Sequence, residues 1–165
     1  MPDTSGRKQN EAGAIRLSLA VRPLVPGDIS AAAEVWHESK QVAYPYLPLQ
    51  QGLTLEDDER IFRERIWPVS ELWVATWDET VVAFLAMQAS YVDRLYVHPE
   101  YQSCGIGSAL MDHAKGLSPA GLELYTHQKN LPARAFYEKH GFRAVNFGVS
   151  PPPESEPDVE YHWRP

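Results

Sequence analysis

The chain has 165 residues, 44% of them hydrophobic and 22% charged, which suits one globular domain with a sizeable core. Its formal net charge of -7 disfavours nucleic acid and anionic membranes as partners, and no apolar run approaches the roughly 18 residues a membrane span needs. A single cysteine, Cys104, excludes an internal disulfide; with no secretory h-region near the start, a cytoplasmic location is the expectation.

Residues 1–13 are polar and predict a disordered tail, followed by one domain over 14–165. A strand is expected over 15–22. Pro26-Gly27-Asp28 then opens a helix to about Ser39, with Ile29, Ala32, Ala33 and Trp36 at helical spacing. The stretch 40–53, with Pro45, Pro48 and Gly52 among Tyr44, Tyr46, Leu47 and Leu49, predicts an ordered loop or a broken helix. Thr54 with Asp57 three residues on reads as an N-cap, and the helix it starts carries Ile61, Phe62 and Ile66 and stops at Trp67-Pro68. Strands over 72–77 and 81–89 flank Asp78-Glu79 as an antiparallel hairpin, and 91–97 extends them into a meander. Ile106, Leu110, Ala114 and Leu117 mark one face of a helix. A strand over 122–126 and a helix over 132–140 follow, with Gly141 as a left-handed cap. Strands over 142–148 and 159–163 close the chain around a loop, 150–158, that holds four prolines. The order predicts a mixed α/β sheet with helices packed on it.

Gln102-Ser103-Cys104-Gly105-Ile106-Gly107 has the spacing Gln-x-x-Gly-x-Gly between a strand and a helix. Glycine lets the backbone approach an anion closely, and the helix start behind it offers free N–H groups and about half a positive charge. No Gly-Lys-Ser/Thr follows, so the loop is not a P-loop, and a Rossmann fingerprint lacks its third glycine. No metal site is expected.

The block from Tyr91 to Leu110 resembles the acetyl-CoA-binding core of the GCN5-related N-acetyltransferase (GNAT) family, in which Leu-x-Val-x-Pro leads into Gln/Arg-x-x-Gly-x-Gly/Ala. A second block, from Leu124-Tyr125-Thr126 through Asn130-x-x-Ala133-x-x-Phe136-Tyr137-Glu138-Lys139-x-Gly141-Phe142, resembles the family's next motif. The resemblance implies a single α/β (α+β) GNAT-fold domain. Its sheet is mixed and mostly antiparallel, with helices on both faces and a splay between the fourth and fifth strands. It further implies acetyl-CoA as acyl donor and a small-molecule or peptide amine as acceptor.

The same resemblance distributes roles. The backbone of Leu95, Tyr96 and Val97 would hold the acetyl carbonyl and pantetheine arm. The amides of Gln102, Ser103, Cys104, Gly105, Ile106, Gly107 and Ser108 would hold the pyrophosphate. Asn130 would contact the pantetheine arm, with Ala133 and Phe136 beside it, and Tyr137 would protonate the departing thiolate. Many relatives place a glycine or a basic residue where Ser103 and Cys104 stand, so this loop lacks a side-chain cation for the phosphates. That is a loss of about 1.5–3 kcal/mol if a charge-assisted hydrogen bond goes missing.

Transfer to an amine also needs a base. Alternation places Tyr91, Asp93, Leu95 and Val97 on one face of their strand, with Asp93 about 7 Å from Leu95 toward the acceptor. Aspartate is disfavoured within strands, so Asp93 is the candidate base, directly or through water, with His37, Glu71 and His127 behind it. Trp36, Tyr44 and Tyr91 are the expected acceptor contacts, from a region that also holds His37, Tyr46 and Trp67. A non-catalytic acyl-CoA-binding or sensing module of the same fold is the alternative, and a homodimer is left open.

Overall fold

The computed structural model describes residues 19–165; the expected tail, and the start of the first strand before Leu19, lie outside the described residues. Strand β1 (Leu19–Pro23) leads through a 3-10 turn into helix α1 (Ile29–Ala43). A single turn, α2 (Pro48–Gln51), and α3 (Leu55–Ile61) follow, and α3 continues through a π turn (Phe62–Ile66) and a 3-10 turn (Trp67–Val69). Then come β2 (Glu71–Trp77), β3 (Thr80–Gln88), β4 (Tyr91–Val97), α4 (Ile106–Leu117), β5 (Leu122–His127), α5 (Leu131–Lys139), β6 (Arg143–Val149) and β7 (Pro157–Trp163). The seven strands form one open sheet in the order β1-β2-β3-β4-β5-β7-β6, antiparallel everywhere except between β4 and β5. Among the described residues no helix is long and apolar enough to cross a membrane.

Local chemistry accounts for the boundaries. Thr54 and Asp57 form a reciprocal capping box, the Thr54 hydroxyl accepting from Asp57 N at 3.1 Å and the Asp57 carboxylate accepting from Thr54 N at 3.0 Å. Such a cap is worth about 1 kcal/mol. Asp78 and Glu79 both take positive φ (47° and 67°), the mirror-image turn that suits the twist of a two-residue hairpin. Helix α1 runs four residues past the expected Ser39. Its last turns are held by polar anchors that apolar periodicity does not register: buried Ser39, whose hydroxyl donates to Val97 O at 3.0 Å, and buried Lys40.

The sheet is covered on both faces. On one, Leu85, Met87, Val92, Leu122 and Leu124 pack against Ile106, Leu110, Met111 and Ala114 of α4. On the other, Val74, Phe84 and Ala86 pack against Ile29, Ala32, Ala33 and Trp36 of α1 and against Phe62 and Ile66.

Two irregularities in β4 set up the site. Ala86 pairs with Arg94 but Met87 pairs with Val92, so Asp93 is the extra residue of a β-bulge. The expected alternation therefore slips by one: Val92, not Asp93, shares the α4-side core with Leu95 and Val97. The second irregularity is the join to β5, which consists of the single parallel pair Tyr91↔Glu123. Beyond that pair the two strands part.

Candidate active site

A cleft of about 840 Å³ fills the gap between β4 and β5 and opens on both sheet faces. One opening lies between α4 and α5; the other lies beside the C-terminal end of α1 and the Tyr44-Pro45-Tyr46 segment.

Backbone polarity makes β4 one wall. His98 N donates to Val82 O at 2.8 Å, and antiparallel alternation then directs Tyr96 and Arg94 toward β3. The polar groups of Leu95 and Val97 turn the other way, into the gap that β5 has left. Val97 O is taken there by the Ser39 hydroxyl at 3.0 Å and the Gln102 amide at 3.1 Å. The Val97 N–H and both polar groups of Leu95 face the cleft.

The start of α4 forms the outer end. Gly105 is its N-cap at φ +82°, a conformation that disfavours any residue with a Cβ, and among the described residues no side chain caps the helix. The first helical bond runs from Ala109 N to Gly105 O at 3.0 Å, so the N–H groups of Ile106, Gly107 and Ser108 have no intrahelical acceptor. A Cβ at Gly107 would lie 3.3 Å from the Phe136 ring; its absence lets α4 sit close against α5. Gln102, Ser103, Gly105, Gly107 and Ser108 line the cleft. Ile106 is buried in the core with only its backbone at the loop, and exposed Cys104 points its thiol at Gln102 O, 3.6 Å away. Lys139, in the last turn of α5, lines the cleft and brings a cation the loop lacks; Lys129 lines it too, paired with Glu156.

Helix α5 is the opposite wall. The Asn130 side chain caps it, accepting from Ala133 N at 3.3 Å, and Asn130, Ala133, Phe136 and Tyr137 all face the cleft. The Tyr137 ring packs against Phe136, Phe142 and Tyr161. Burial, then the neighbouring Tyr96 and Tyr91, raise its pKa, so the phenol holds its proton. Across the gap the Tyr44 and Tyr96 hydroxyls meet at 2.8 Å, and burial raises both pKa values as well.

The acceptor-side residues separate. Asp93 lines the cleft with its carboxylate bound by the Arg94 guanidinium. Tyr44 lines it too. Trp36 does not: it is only 5% exposed, its ring covered by Lys40 Nζ at 3.8 Å and by Arg94 at 5.3 Å. Tyr91 is half-buried against Tyr125 outside the cleft wall. His37 serves the protein interior, its Nδ1 lying 2.7 Å from buried Asp58. Three residues far apart in sequence meet at the α1-side mouth: the Tyr46 hydroxyl is 2.9 Å from His127 Nδ1, and His127 Nε2 is 3.2 Å from Glu154. Only long-range contact joins them, so no local pattern signals the group. Among the described residues no cluster of three or more His, Cys, Asp or Glu is placed to hold a metal ion.

A mixed sheet parted between β4 and β5, with an uncapped helix start at one end of the gap and a tyrosine-bearing helix across it, defines an acyltransferase fold of the GNAT class. The chain belongs to that family: the family model described as an acetyltransferase (GNAT) domain matches residues 68–144. It is 30% identical over 112 residues to the peptidyl-lysine N-acetyltransferase YjaB of Escherichia coli, covering 67% of this chain and 73% of that protein. It is 28% identical over 127 residues to the peptidyl-lysine N-acetyltransferase YiaC of the same organism, covering 76% and 84%. Among solved structures, a GCN5-related N-acetyltransferase from Rhodopseudomonas palustris superposes with a TM-score of 0.76 at 24% identity, covering 90% of this chain and 96% of that one. The PaiA N-acetyltransferase of Thermoplasma acidophilum, crystallised with coenzyme A, gives 0.67 at 24% identity, covering 90% and 99%.

Proposed function

We propose that the protein transfers the acetyl group of acetyl-CoA directly to a primary amine, with a lysine side chain of a peptide as the acceptor class. The observation that carries this is the gap between β4 and β5, where the backbone of Leu95 and Val97 is turned toward an otherwise unpaired space. A pantetheine arm is an extended chain of amides, and it completes the sheet there as a missing strand would. The pyrophosphate then meets the N–H groups of residues 106–108, with Lys139 beside them. The peptidyl-lysine activity named for YjaB and YiaC supports the acceptor.

In this reading the Leu95 N–H polarises the thioester carbonyl. The amine attacks the carbonyl carbon, the C–S bond breaks, and the Tyr137 hydroxyl delivers a proton to the sulfur. A phenol kept protonated by burial suits that task. Asp93 draws the acceptor's ammonium to the bulge, where it shares the carboxylate with Arg94.

Thiol release from acetyl-CoA with a lysine-containing peptide tests the reading. Tyr137→Phe should lower kcat about 100-fold, with acetyl-CoA affinity by calorimetry nearly unchanged. An unaltered kcat removes Tyr137 from the chemistry. Binding of acetyl-CoA with no thiol release across an amine panel leaves a binding module instead.

A further inference from the structure

We propose that Tyr46, His127 and Glu154 form a proton relay that carries the acceptor amine's proton out of the cleft. The inference rests on the acyl-transfer reading above and extends it to groups outside the cofactor motifs.

The geometry is that of a three-member chain. Tyr46, on the segment after α1, lines the cleft, and its hydroxyl lies 2.9 Å from Nδ1 of His127, the last residue of β5. His127 Nε2 lies 3.2 Å from Glu154 Oε2 on the loop between β6 and β7. The other Glu154 oxygen accepts from the Gln50 amide at 2.7 Å, so the carboxylate is fixed on both sides. The imidazole is flanked by two inclined rings, Tyr44 with its centroid 5.2 Å away and Tyr46 at 5.8 Å. Its side chain is 11% exposed, which leaves a narrow path to water.

Proton positions follow from these contacts. Burial, and after it Glu156 and Glu154, keep the Tyr46 phenol protonated. The phenol therefore donates to Nδ1, and Nε2 carries the imidazole proton toward the Glu154 carboxylate. That tautomer is ready to accept at Nδ1. The other charged groups around the imidazole are Asp158, its cross-strand partner on β7, and Lys129, which lies over the Tyr46 ring and is paired with Glu156 at 2.9 Å.

The step balances. An ammonium at the cleft passes one proton to the Tyr46 oxygen as the Tyr46 proton moves to His127 Nδ1. This leaves a neutral amine and an imidazolium opposite Glu154. The amine forms the C–N bond, the C–S bond breaks, and the second nitrogen proton is matched by the one placed on sulfur. His127 returns its proton to water, so each turnover yields one amide, one thiol and one solvent proton. Tyr46 is the catalytic member; His127 and Glu154 act through it.

The test is thiol release with acetyl-CoA and a single-lysine peptide from pH 5.5 to 9.5, for the parent, Tyr46→Phe, His127→Gln and Glu154→Gln, with Asp93→Asn alongside. Tyr46→Phe, which removes one oxygen and keeps the ring, should lower kcat at least tenfold. His127→Gln should abolish the acid limb of kcat/KM, and Glu154→Gln should displace that limb. Acetyl-CoA affinity within twofold of the parent checks that each variant folds. Parent turnover with a His127→Gln profile that coincides with the parent's overturns the relay alone, as does loss of the acid limb in Asp93→Asn only. No thiol release by the parent overturns the acyl-transfer reading itself, and the relay with it.

Discussion

At the scale of single residues, the loop before α4 separates two reasons for a glycine. Gly105 sits at φ +82° with nothing within 4 Å of where a Cβ would stand, so its constraint is torsional alone. Left-handed backbone costs an ordinary residue about 1–2 kcal/mol, and the stiffer unfolded chain returns about 0.4–1 kcal/mol of it. Gly105→Ala should therefore destabilise by about 1 kcal/mol in a urea titration, with the m-value unchanged. Gly107 is the reverse case: its backbone is helical, and the 3.3 Å approach of Phe136 is what excludes a side chain. Ser103, at φ +63°, carries the same torsional load as an alanine at 105 would. The loop therefore holds its anion-facing backbone at the expense of local strain. Both glycines were visible as a spacing in the sequence, whereas the different reasons for them needed the neighbouring helix.

At the scale of elements, α1 and α3 are joined through a buried ionic group rather than through apolar contact alone. Asp58 is fully buried and receives Lys40 Nζ at 2.6 Å and His37 Nδ1 at 2.7 Å; Lys40 itself is 1% exposed. Desolvation lowers the Lys40 pKa even against the raising effect of Asp58. A pair of this kind is costly to break from one side. Asp58→Asn leaves a buried ammonium without its counter-charge and should cost about 3–5 kcal/mol, read as a lowered urea midpoint. Replacing both partners at once, with Lys40→Met and Asp58→Leu, should recover most of the loss. An Asp58→Asn midpoint equal to the parent's would show that water reaches Lys40. Neither partner stands out in the sequence, since each sits among ordinary helical polar residues. The elements themselves were legible where the signal is local: the apolar stripes of α1 and α4, the Thr54–Asp57 box, the Asp78-Glu79 hairpin and the Gly141 cap. The bulge at Asp93 was not, because it is a property of register against β3. The same holds for the mouth of the cleft, where Tyr46, His127 and Glu154 come from three segments that only the complete sheet brings together.

At the scale of the whole molecule, two groups tie stability to pH through opposite ends of the fold. His140 lies just beyond α5, with Nε2 3.1 Å from the Ser108 hydroxyl and its carbonyl accepting from Lys115 at 2.7 Å. Burial, and then the Lys115 charge, lower its pKa from 6.5, so the folded chain holds it neutral where the unfolded chain has begun to take a proton. Proton uptake then favours unfolding as pH falls below 6.5, and the effect levels off once the folded form also protonates. Asp28, at the entry to α1, is bound by Arg22 through two bonds of 2.7 and 3.0 Å, and those bonds lower its pKa from 3.8. Its stabilisation is complete above that value and is lost as pH falls through the folded pKa. Stability should therefore decline in two stages on acidification, a first just below pH 6.5 and a second below about 3.8. Urea midpoints taken every half unit from pH 7.5 to 3 would resolve them. His140→Gln should remove the first stage and leave the second, while Asp28→Asn should leave the first and shrink the second, to which the capping carboxylate of Asp57, its pKa lowered by its Thr54 hydrogen bonds, also contributes. Because His140 braces the first turn of α4, the first stage should also shrink when an acyl-CoA is bound: phosphates at residues 106–108 favour the imidazolium that the empty fold resists. A first stage unchanged by saturating acetyl-CoA would place the phosphates away from that helix start.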